Sequence, residues 1–177
     1  KVLNGDQNTF RFIINNYKDM AFSFAMSIVK DEFIAKEVIQ TAFIKAYSKL
    51  NTFKGNSKFS TWLYKIVINE AFKFKNKRKK EFTHYEESEI QTNTRIDDFT
   101  SKINKDYQKY YINETLKKLK PKESLILRLF YLEEQSIKDI IEITGWSPSK
   151  IKVLLHRARK NMKMILEKSL NNKETLY

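Results

Sequence analysis

The chain has 177 residues, and 34 Lys and Arg against 21 Asp and Glu give a formal net charge of +13, so a polyanion is the first partner to expect. With only 3 glycines and 2 prolines, the sequence lacks the turn residues that hairpins need, and an all-α fold is predicted. The absence of cysteine excludes disulfides and thiolate metal sites and fits a cytoplasmic protein, and no apolar run reaches the ~18 residues of a membrane span.

Three amphipathic helices are predicted within residues 1–80. In each of them apolar residues recur at intervals of three and four, which is the period of one helix face. Asn8 or Thr9 is expected to cap the first helix, and Gly55 lies in the loop between the second and the third. The predicted helices are 10–29, 32–50 and 59–80. The residues of the second helix expected to face the core are Ala35, Val38, Ile39, Ala42, Phe43, Ala46, Tyr47 and Leu50.

Residues 81–109 differ in composition from their surroundings and are predicted to be an acidic linker. Seven acidic residues stand between Glu81 and Gln108 against three basic ones, and no helical period is sustained. A connection of this length exceeds ordinary helix–helix loops, which indicates a domain boundary. The chain is therefore predicted to form two small helical domains, residues 1–80 and residues 110–177.

The second domain carries clear helix-boundary signals. Pro121 suits the first turn of a helix, where its missing amide hydrogen is tolerated. Ser136, followed three residues later by Asp139, predicts a capped short helix that ends at Gly145. The pair Ser147–Pro148 then predicts the start of a long last helix. The predicted helices are 110–119, 121–132, 136–145 and 149–168.

The segment from Ser136 to Lys163 has the layout of a helix-turn-helix, with a short capped helix and a tight turn before a longer helix. In such motifs small residues at the tip of the second helix read base edges in the major groove, while flanking Lys and Arg contact phosphates. A solvated basic face on a structural hairpin is the alternative. The candidate DNA-binding residues are Ser147, Ser149, Lys150, Lys152, His156, Arg157, Arg159 and Lys160.

The third helix ends in a cluster of cations at 73–80, interleaved with Phe72 and Phe74. Cations can hold a phosphate backbone, and exposed rings can stack on unpaired bases. The alternative is that the rings pack in the core and the basic end is a frayed tail. Core packing is favoured for Phe59 and Trp62, and both interpretations stay open for Phe72. The outward residues are Lys65, Asn69, Phe72, Lys73 and Asn76, followed by Lys77 in the cationic cluster.

One face of the second helix is predicted to be a docking surface for another protein's helix. Its residues recur at intervals of three and four on the side opposite the core. A polar stripe with one exposed isoleucine suits a partner helix, although single apolar residues are common on any surface. The residues of this stripe are Glu37, Gln40, Thr41, Ile44 and Ser48.

Three segments occur in the order found in the extracytoplasmic-function sigma factors, which this chain resembles. They are AKEVIQTAFIKAY at 35–47, KFSTWLYKIVINEAF at 58–72 and IKVLLHRARK at 151–160. With their surroundings they cover nearly the whole chain except 81–108. The resemblance implies two helical domains, sigma region 2 and sigma region 4. It also implies a subunit that binds core RNA polymerase, recognises promoter DNA and promotes strand opening.

The resemblance implies roles for individual residues as well. The second helix would dock on the clamp helices of the polymerase beta-prime subunit, region 4 would meet the beta flap, and an anti-sigma factor is a further expected partner. The third helix and the loop before it would bind the minus-ten element, and the last helix would read the minus-thirty-five element. The docking residues would be Glu37, Gln40, Thr41, Phe43 and Ile44. With the outward residues of the third helix, the minus-ten residues would be Asn51, Lys58, Lys65, Asn69, Phe72, Lys73, Asn76 and Lys77.

The sequence departs from the family pattern at three places. Thr41 stands where the docking motif usually continues with an acid, Lys73 where Asp is frequent, and 153–154 (Val-Leu) where Ser-Arg is frequent. The last two predict a non-consensus promoter. In the family the linker threads the polymerase near its active-site cleft, so the carboxylates of 81–109 are hypothesised to imitate nucleic acid, with a solvated tether as the alternative.

No catalytic motif is recognisable, so neither an enzyme nor a cofactor or metal site is expected. The two histidines, His84 and His156, are far apart in the sequence, and there is no GxSxG motif or Gly-rich phosphate loop. Two other functions compete with a sigma factor. One is a helix-turn-helix regulator of duplex DNA, which has no need of a basic-aromatic third helix. The other is a non-specific RNA-binding protein, which has no need of the capped turn.

Overall fold

The computed structural model describes residues 7–82 and 105–174, and these ranges contain helices and loops without a strand, which confirms the all-α prediction. The helices are α1 (Gln7–Val29), α2 (Glu32–Ser48), α3 (Phe59–Phe82), α4 (Lys105–Lys118), α5 (Pro121–Leu127), α6 (Ile137–Thr144) and α7 (Pro148–Glu174). A 3₁₀ turn at Leu50–Thr52 follows α2, and a π-helical turn at Arg128–Leu132 follows α5. Most of the predicted acidic linker, 83–104, lies outside the described residues.

Helices α1, α2 and α3 form a three-helix bundle. Each contributes an apolar stripe, with Phe24 and Ile28 from α1, Val38 from α2, and Leu63 and Val67 from α3 all fully buried. Burial of such side chains stabilises a fold by about 1.5–3 kcal/mol each, which is the main force that holds three otherwise polar helices together. Asp31 caps α2 by accepting a hydrogen bond from the amide of Ile34 at 3.0 Å.

Three details of this bundle differ from the predictions. Asn8 and Thr9 lie inside the first turn of α1, so neither stands at the predicted cap position. Helix α2 ends at Ser48, and Leu50 belongs to the 3₁₀ turn. Tyr47 was predicted to face the core but is 46% exposed, because its ring lies at the open edge of the bundle and packs edge-on against Phe10 with ring centroids 4.9 Å apart.

Helices α4 to α7 form the second domain, and its predicted boundary signals are confirmed. Pro121 occupies the first turn of α5, and Ser136 and Asp139 form a reciprocal capping box at the start of α6. Gly145 ends α6 in the left-handed conformation with φ of 69°, and its amide donates to the carbonyl of Ile141 at 2.8 Å. Helices α3 and α4 both extend into the segment predicted as linker, α3 to Phe82 and α4 from Lys105.

The two domains pack against each other, α5 on α1 and α6 on α3, and share one continuous core. Polar contacts cross the interface: the Lys30 ammonium donates to the carbonyl of Leu116 at 2.7 Å, and the Arg128 guanidinium donates to Ser27 Oγ at 3.1 Å. This arrangement is closed in the sense that one domain covers part of the other.

Candidate nucleic-acid and protein interfaces

Helix α7 presents the predicted recognition surface. Ile151, Leu155 and Ala158 are buried against the domain core, so the helix has one fixed rotation about its axis. At its start, Ser147 Oγ accepts a hydrogen bond from the amide of Lys150 at 3.3 Å. The opposite side is exposed and cationic, as predicted. All the candidate residues are exposed there: Ser147, Ser149, Lys150, Lys152, His156, Arg157, Arg159 and Lys160.

Two of these cations are oriented by contacts within the domain. The Lys150 ammonium lies 5.3 Å from the centroid of the Trp146 ring, a cation–π distance, and Arg159 Nε donates to the carbonyl of Leu155 at 3.2 Å. Lys152 and Arg157 project from the helix without such a contact within the described chain. Between them Val153 is also exposed, and an apolar side chain at this place can contact a thymine methyl group.

The cationic end of α3 also faces solvent. Lys73, Lys75, Lys77 and Lys79 are exposed, and Arg78 is half-buried because it pairs with Asp31 at 3.3 Å. Lys65 and Asn69 lie on the exposed side of the helix before this end, Asn76 is exposed within it, and Asn51 is exposed in the 3₁₀ turn. Lys58 is exposed as well, so seven of the eight candidate minus-ten residues are accessible, and Phe72 is the exception.

Glu70 joins this surface to the bundle. Its side chain is only 6% exposed and pairs with Lys45 of α2 at 2.5 Å and with Lys73 of α3 at 3.0 Å. Burial alone would raise the pKa of Glu70, but the two lysine hydrogen bonds outweigh burial and hold the pKa below its usual range. The carboxylate thus stays charged at neutral pH and fixes the position of Lys73.

Lys58 and Phe72 lie at the interface between the domains. The Phe72 ring is half-buried, and its centroid is 6.4 Å from that of Trp146 in the turn before α7. Lys58 lies close enough to Asp139 of α6 that its charge helps to lower the pKa of Asp139, after the larger effect of the Ser136 hydrogen bond. In this closed arrangement the Phe72 ring is partly covered by the second domain, so its stacking on unpaired bases stays a prediction.

The other aromatic residues at the start of α3 pack as favoured from the sequence. Phe59 and Trp62 are half-buried, with ring centroids 5.5 Å apart, and Phe53 from the preceding loop lies 5.5 Å from each of them. This cluster fixes the loop 53–58 against α3. Phe53 had no signal in the sequence, because a single aromatic residue in a polar loop shows no period.

The predicted docking face of α2 borders an apolar groove of about 680 Å³ between α1 and α2. Ile44 is 63% exposed at its edge, Gln40 is exposed beside it, and Phe43 is 6% exposed and forms its floor. Glu37 is exposed on the same helix, whereas Thr41 is half-buried. The sequence did not assign the α1 wall of the groove, since a helical period does not distinguish a groove wall from a core stripe. That wall consists of Phe10, Ile14 and Lys18.

A second apolar groove, of about 420 Å³, lies on the α4–α7 domain. Tyr131 and Leu132 of the π-helical turn are about half exposed at its rim. Apolar residues this exposed and this close together mark a surface suited to a partner. No sequence signal pointed to it, because 121–132 was predicted to be one regular helix. The groove is lined by Ile112, Leu116, Leu127, Tyr131, Leu132, Met162 and Leu166, with Arg159, Lys163 and Glu167 at the polar side.

Neither a metal centre nor a membrane anchor is evident in the part of the chain that the structure describes. Within 7–82 and 105–174, no group of His, Asp and Glu side chains is arranged to hold a metal ion. Over the same ranges, no helix combines the length and the hydropathy needed to cross a bilayer. The described residues do present two exposed cationic helical surfaces, one on each domain, and two apolar grooves.

Comparison with known proteins gives consistent matches over both domains. Residues 13–81 match the family Sigma-70 region 2, and residues 110–162 match Sigma-70, region 4. The RNA polymerase sigma factor YlaC of Bacillus subtilis (strain 168) is 34% identical over 136 residues, which are 76% of this chain and 79% of the relative. The ECF RNA polymerase sigma factor SigW of the same organism is 27% identical over 173 residues, 92% of this chain and 91% of the relative.

A solved structure has the same fold. The sigma factor RpoE, crystallised with the anti-sigma factor NepR from Bartonella quintana, matches with a TM-score of 0.71 and 22% sequence identity. The match covers 90% of this chain and 97% of that one. At this identity the likeness concerns the fold, and it extends over both helical domains.

Proposed function

Because this chain belongs to the extracytoplasmic-function group of RNA polymerase sigma factors, which are transcription initiation factors, we propose a division of work between its domains. The α1–α3 domain docks on core polymerase and holds the minus-ten element, and the α4–α7 domain reads the minus-thirty-five element. The observation that carries this assignment is the pair of exposed cationic surfaces, at the end of α3 and along α7, on separate domains.

The docking site in this proposal is the apolar groove between α1 and α2. Its exposed Ile44 and its Phe43 floor suit the apolar face of a partner helix, Gln40 supplies a polar contact at the rim, and Glu37 supplies one on the same helix outside the groove. The expected occupant is the pair of clamp helices of the polymerase beta-prime subunit. Burial of an exposed isoleucine in such a contact stabilises the complex by about 1.5–3 kcal/mol.

The minus-ten site in this proposal runs from the loop before α3 to the helix end. Lys65, Lys73 and Lys77 would neutralise phosphates of the opened strand, and Asn51, Asn69 and Asn76 would hydrogen-bond bases or sugars. Phe72 would take part once the second domain moves away from it. Strand opening is favoured because the opened strand binds here more tightly than duplex does.

The minus-thirty-five site in this proposal is the exposed face of α7. Ser147 and Ser149 at the tip are small enough to approach base edges in the major groove, where Val153 can contact a thymine methyl. The side chains further along the helix contact the phosphates on either side of the groove. These are Lys150, Lys152, His156, Arg157, Arg159 and Lys160.

Simultaneous contact with both elements requires the two domains to separate. Elements about 25 base pairs apart lie roughly 85 Å from each other along B-form DNA, at 34–36 Å per turn. A compact chain of 177 residues has a radius of gyration of about 16 Å. The closed arrangement is therefore a resting form, and binding to polymerase supplies the free energy that pulls α6 from α3 and exposes Phe72.

Other partners in this proposal follow from the second groove and from the family. The groove bordered by Tyr131 and Leu132 is the expected contact for the polymerase beta flap. RpoE and NepR form a sigma–anti-sigma complex, and an anti-sigma factor is proposed for this chain as well. The protein works in the cytoplasm, where the polymerase is, and it has no enzymatic activity of its own, since nucleotide polymerisation belongs to the core.

A transcription assay with core polymerase and a genomic promoter library tests the proposal. Wild-type protein should direct initiation from a defined subset of promoters. Ile44→Glu should weaken binding to core about tenfold or more, because it places a charge in the docking contact. Phe33→Glu is the matched control, since Phe33 is 70% exposed on the same helix outside the groove. Retention of duplex DNA without any transcript would identify a duplex-binding regulator instead.

A further inference from the structure

A cavity of about 420 Å³ lies between the two domains, where α1 meets α4 and α5. One wall is apolar and the other is polar, and the polar wall carries three cations, Lys30, Lys117 and Arg128. The apolar wall consists of Phe22, Met26, Tyr110 and Leu116. None of the interfaces assigned above uses this cavity.

Two of these cations, Lys30 and Arg128, lack a paired carboxylate. Among the described residues, neither Lys30 nor Arg128 has a salt bridge. The two glutamates that line the cavity are already paired with other lysines, Glu32 with Lys36 at 2.8 Å and Glu114 with Lys117 at 2.5 Å. The cavity therefore holds two partly buried cations that no carboxylate of its lining pairs, which is an arrangement that attracts an anion.

The remaining hydrogen-bond donors are available to a ligand. Arg128 donates to Ser27 Oγ at 3.1 Å and to Asn113 Oδ1 at 2.9 Å, which uses two of the five N–H groups that a guanidinium carries. The Lys30 ammonium uses one of its three N–H groups on the carbonyl of Leu116. Donors thus reach the cavity from both domains.

Ser124 provides an independent sign that something polar belongs in the cavity. The residue is 1% exposed and lines the cavity, and its hydroxyl has no hydrogen-bond partner within the described chain. A buried hydroxyl without a partner costs about 1–3 kcal/mol, and a bound oxyanion would accept its hydrogen.

The pKa of Lys30 reflects the same excess of positive charge. The pKa of Lys30 is lowered to about 7, mainly by burial and to a smaller extent by the positive charges of Arg128 and Lys75. Burial lowers the pKa of Arg128, and the negative charge of Glu133, directly after the π-helical turn, opposes this effect in part. Burial raises the pKa of Glu133. The other charged groups that line the cavity are Glu32 in its pair with Lys36, and Glu114 in its pair with Lys117. A bound anion would favour the charged form of Lys30.

We propose that this cavity binds a phosphate-bearing small molecule, whose anionic group lies between Lys30 and Arg128 and accepts a hydrogen bond from Ser124. A cavity of about 420 Å³ has room for more than a phosphate ion, and its apolar wall suits an attached ring, so a phosphorylated metabolite fits it better than free phosphate. The shared chemistry is the phosphoryl dianion, and the experiment below separates the two sources.

Such a ligand would hold the closed arrangement together, because Lys30 belongs to the first domain and Arg128 and Ser124 belong to the second. Its effect on transcription rests on the proposed function, in which the domains must separate. Ligand binding itself does not depend on that function. Calorimetry on the full chain can therefore fail or succeed independently of any polymerase assay.

Calorimetric titration at constant ionic strength tests the site, with AMP, inorganic phosphate and adenosine as separate probes. AMP should bind saturably with one site, and adenosine should not bind. Tighter binding of AMP than of phosphate would identify a phosphorylated metabolite as the source, and equal binding would identify free phosphate. The absence of saturable binding of both anions, or equal binding of adenosine, would overturn the proposal.

Three variants separate the site from the general attraction of anions to a basic protein. Lys30→Met should weaken AMP binding about tenfold or more, since a charge-assisted hydrogen bond is lost. Ser124→Ala should weaken it several-fold while leaving the melting temperature unchanged or higher, because an unpartnered buried hydroxyl is removed. Lys168→Met, an exposed lysine on α7, is the control for net charge. An equal loss in the Lys168 variant would refute the site.

The link to closure and to pH can be measured on the same chain. Because the sequence has no cysteine, single cysteines at Lys18 and Lys118 can carry a dye pair that reports the distance between the domains. At a urea concentration that partly separates the domains, AMP should restore energy transfer in the wild type and not in Lys30→Met. Sulfate, which keeps its charge near neutral pH, should bind more weakly as the pH rises through about 7, where Lys30 loses its proton. Unchanged energy transfer at saturating AMP would overturn the proposed link to closure.

Discussion

The two cationic surfaces of this sigma factor are built in different ways. In the α4–α7 domain one helix serves both purposes: Ile151, Leu155 and Ala158 of α7 form the core, and the opposite side of the same helical turns carries the charges. In the α1–α3 domain the strongest cluster lies at the end of α3, after Ala71, which is the last fully buried residue described on that helix. The domain core therefore fixes the direction of the α7 surface, whereas the α3 surface extends beyond the core of its domain.

Under the proposed roles, the two surfaces should read nucleic acid in different ways. A rigid helix held at a fixed rotation suits the major groove of duplex DNA, where positions of a few tenths of an ångström decide which base is accepted. A cationic helix end with less support suits an opened strand, whose backbone is itself flexible and whose binding depends mainly on charge and stacking. The direction of a side chain should therefore affect DNA affinity more strongly on α7 than near the end of α3.

Charge reversal on the two surfaces is the largest expected effect. Lys152→Glu combined with Arg157→Glu should lower affinity for minus-thirty-five duplex about a hundredfold and reduce the salt dependence of binding. Lys77→Glu combined with Lys79→Glu makes the same change in charge at the end of α3. It should lower affinity for the opened minus-ten strand and leave affinity for the isolated duplex within about threefold, since it acts there only through long-range charge. Fluorescence anisotropy with the two DNA probes measures both.

A third pair of reversals controls for net charge. Lys118→Glu with Lys122→Glu changes exposed lysines that belong to neither surface. If this pair lowers duplex affinity as much as the α7 pair does, only overall charge matters, and the distinction between a core-aimed and an extended surface is lost. Thermal melting should be nearly unchanged in all three variants because every substituted side chain is exposed.

Glu70 connects the α3 surface to the bundle, because it pairs with Lys45 of α2 and with Lys73 of α3. Its substitution therefore tests how far the bundle supports that surface. Glu70→Gln should lower the free energy of unfolding at neutral pH by about 2 kcal/mol, since hydrogen bonds from two lysines lose their ionic character in a buried setting. The folded-state pKa of Glu70 lies below its usual range, so its contribution is full above the pKa of the unfolded chain and is lost as the pH falls through the folded pKa. Denaturant titrations at several pH values should show the wild type and the variant converging in acid.

Glu142→Gln is the matched control, because Glu142 is exposed on α6. It should change unfolding by no more than a few tenths of a kcal/mol at any pH. A Glu70 difference that persisted unchanged in acid would mean that shape rather than charge supports Lys73.

The local structure of this protein could be predicted from its sequence because local chemistry determines it. Ser136 with Asp139, Gly145, and Ser147 with Pro148 each act within four residues, and the structure confirms the boundaries they predict. The exposed positions of Ile44 on α2 and of the α7 cations follow from helical period alone. The same period misassigned Tyr47, because it locates an apolar face without showing how far the neighbouring helices cover it.

The packing of one domain on the other could not be predicted in the same way. Arg128 and Ser27 are 101 residues apart, and Phe72 and Trp146 are 74 apart, so no spacing rule connects them. Their side chains carry no local mark of a partner: a phenylalanine beside a basic cluster is equally suited to a base and to a tryptophan. The cavity between Lys30 and Arg128 is likewise a product of tertiary structure, and its residues had no motif.

A pair of glycines provides the smallest and most direct test of the comparison. Gly145 and Gly55 have φ of 69° and 74°, and a Cβ would meet no atom within 4 Å at either, so alanine adds only backbone strain. Each substitution should therefore cost about 1 kcal/mol of stability.

The two substitutions should differ in their effect on DNA binding. Gly145→Ala changes the turn that orients α7, so it should also weaken duplex binding several-fold, measured by anisotropy under conditions where the protein is fully folded. Gly55→Ala, with the same strain in the loop before α3, should leave duplex binding unchanged. Equal losses of duplex affinity in the two variants would mean that the turn before α7 does not determine its orientation. Duplex affinity would then depend only on the overall stability of the fold.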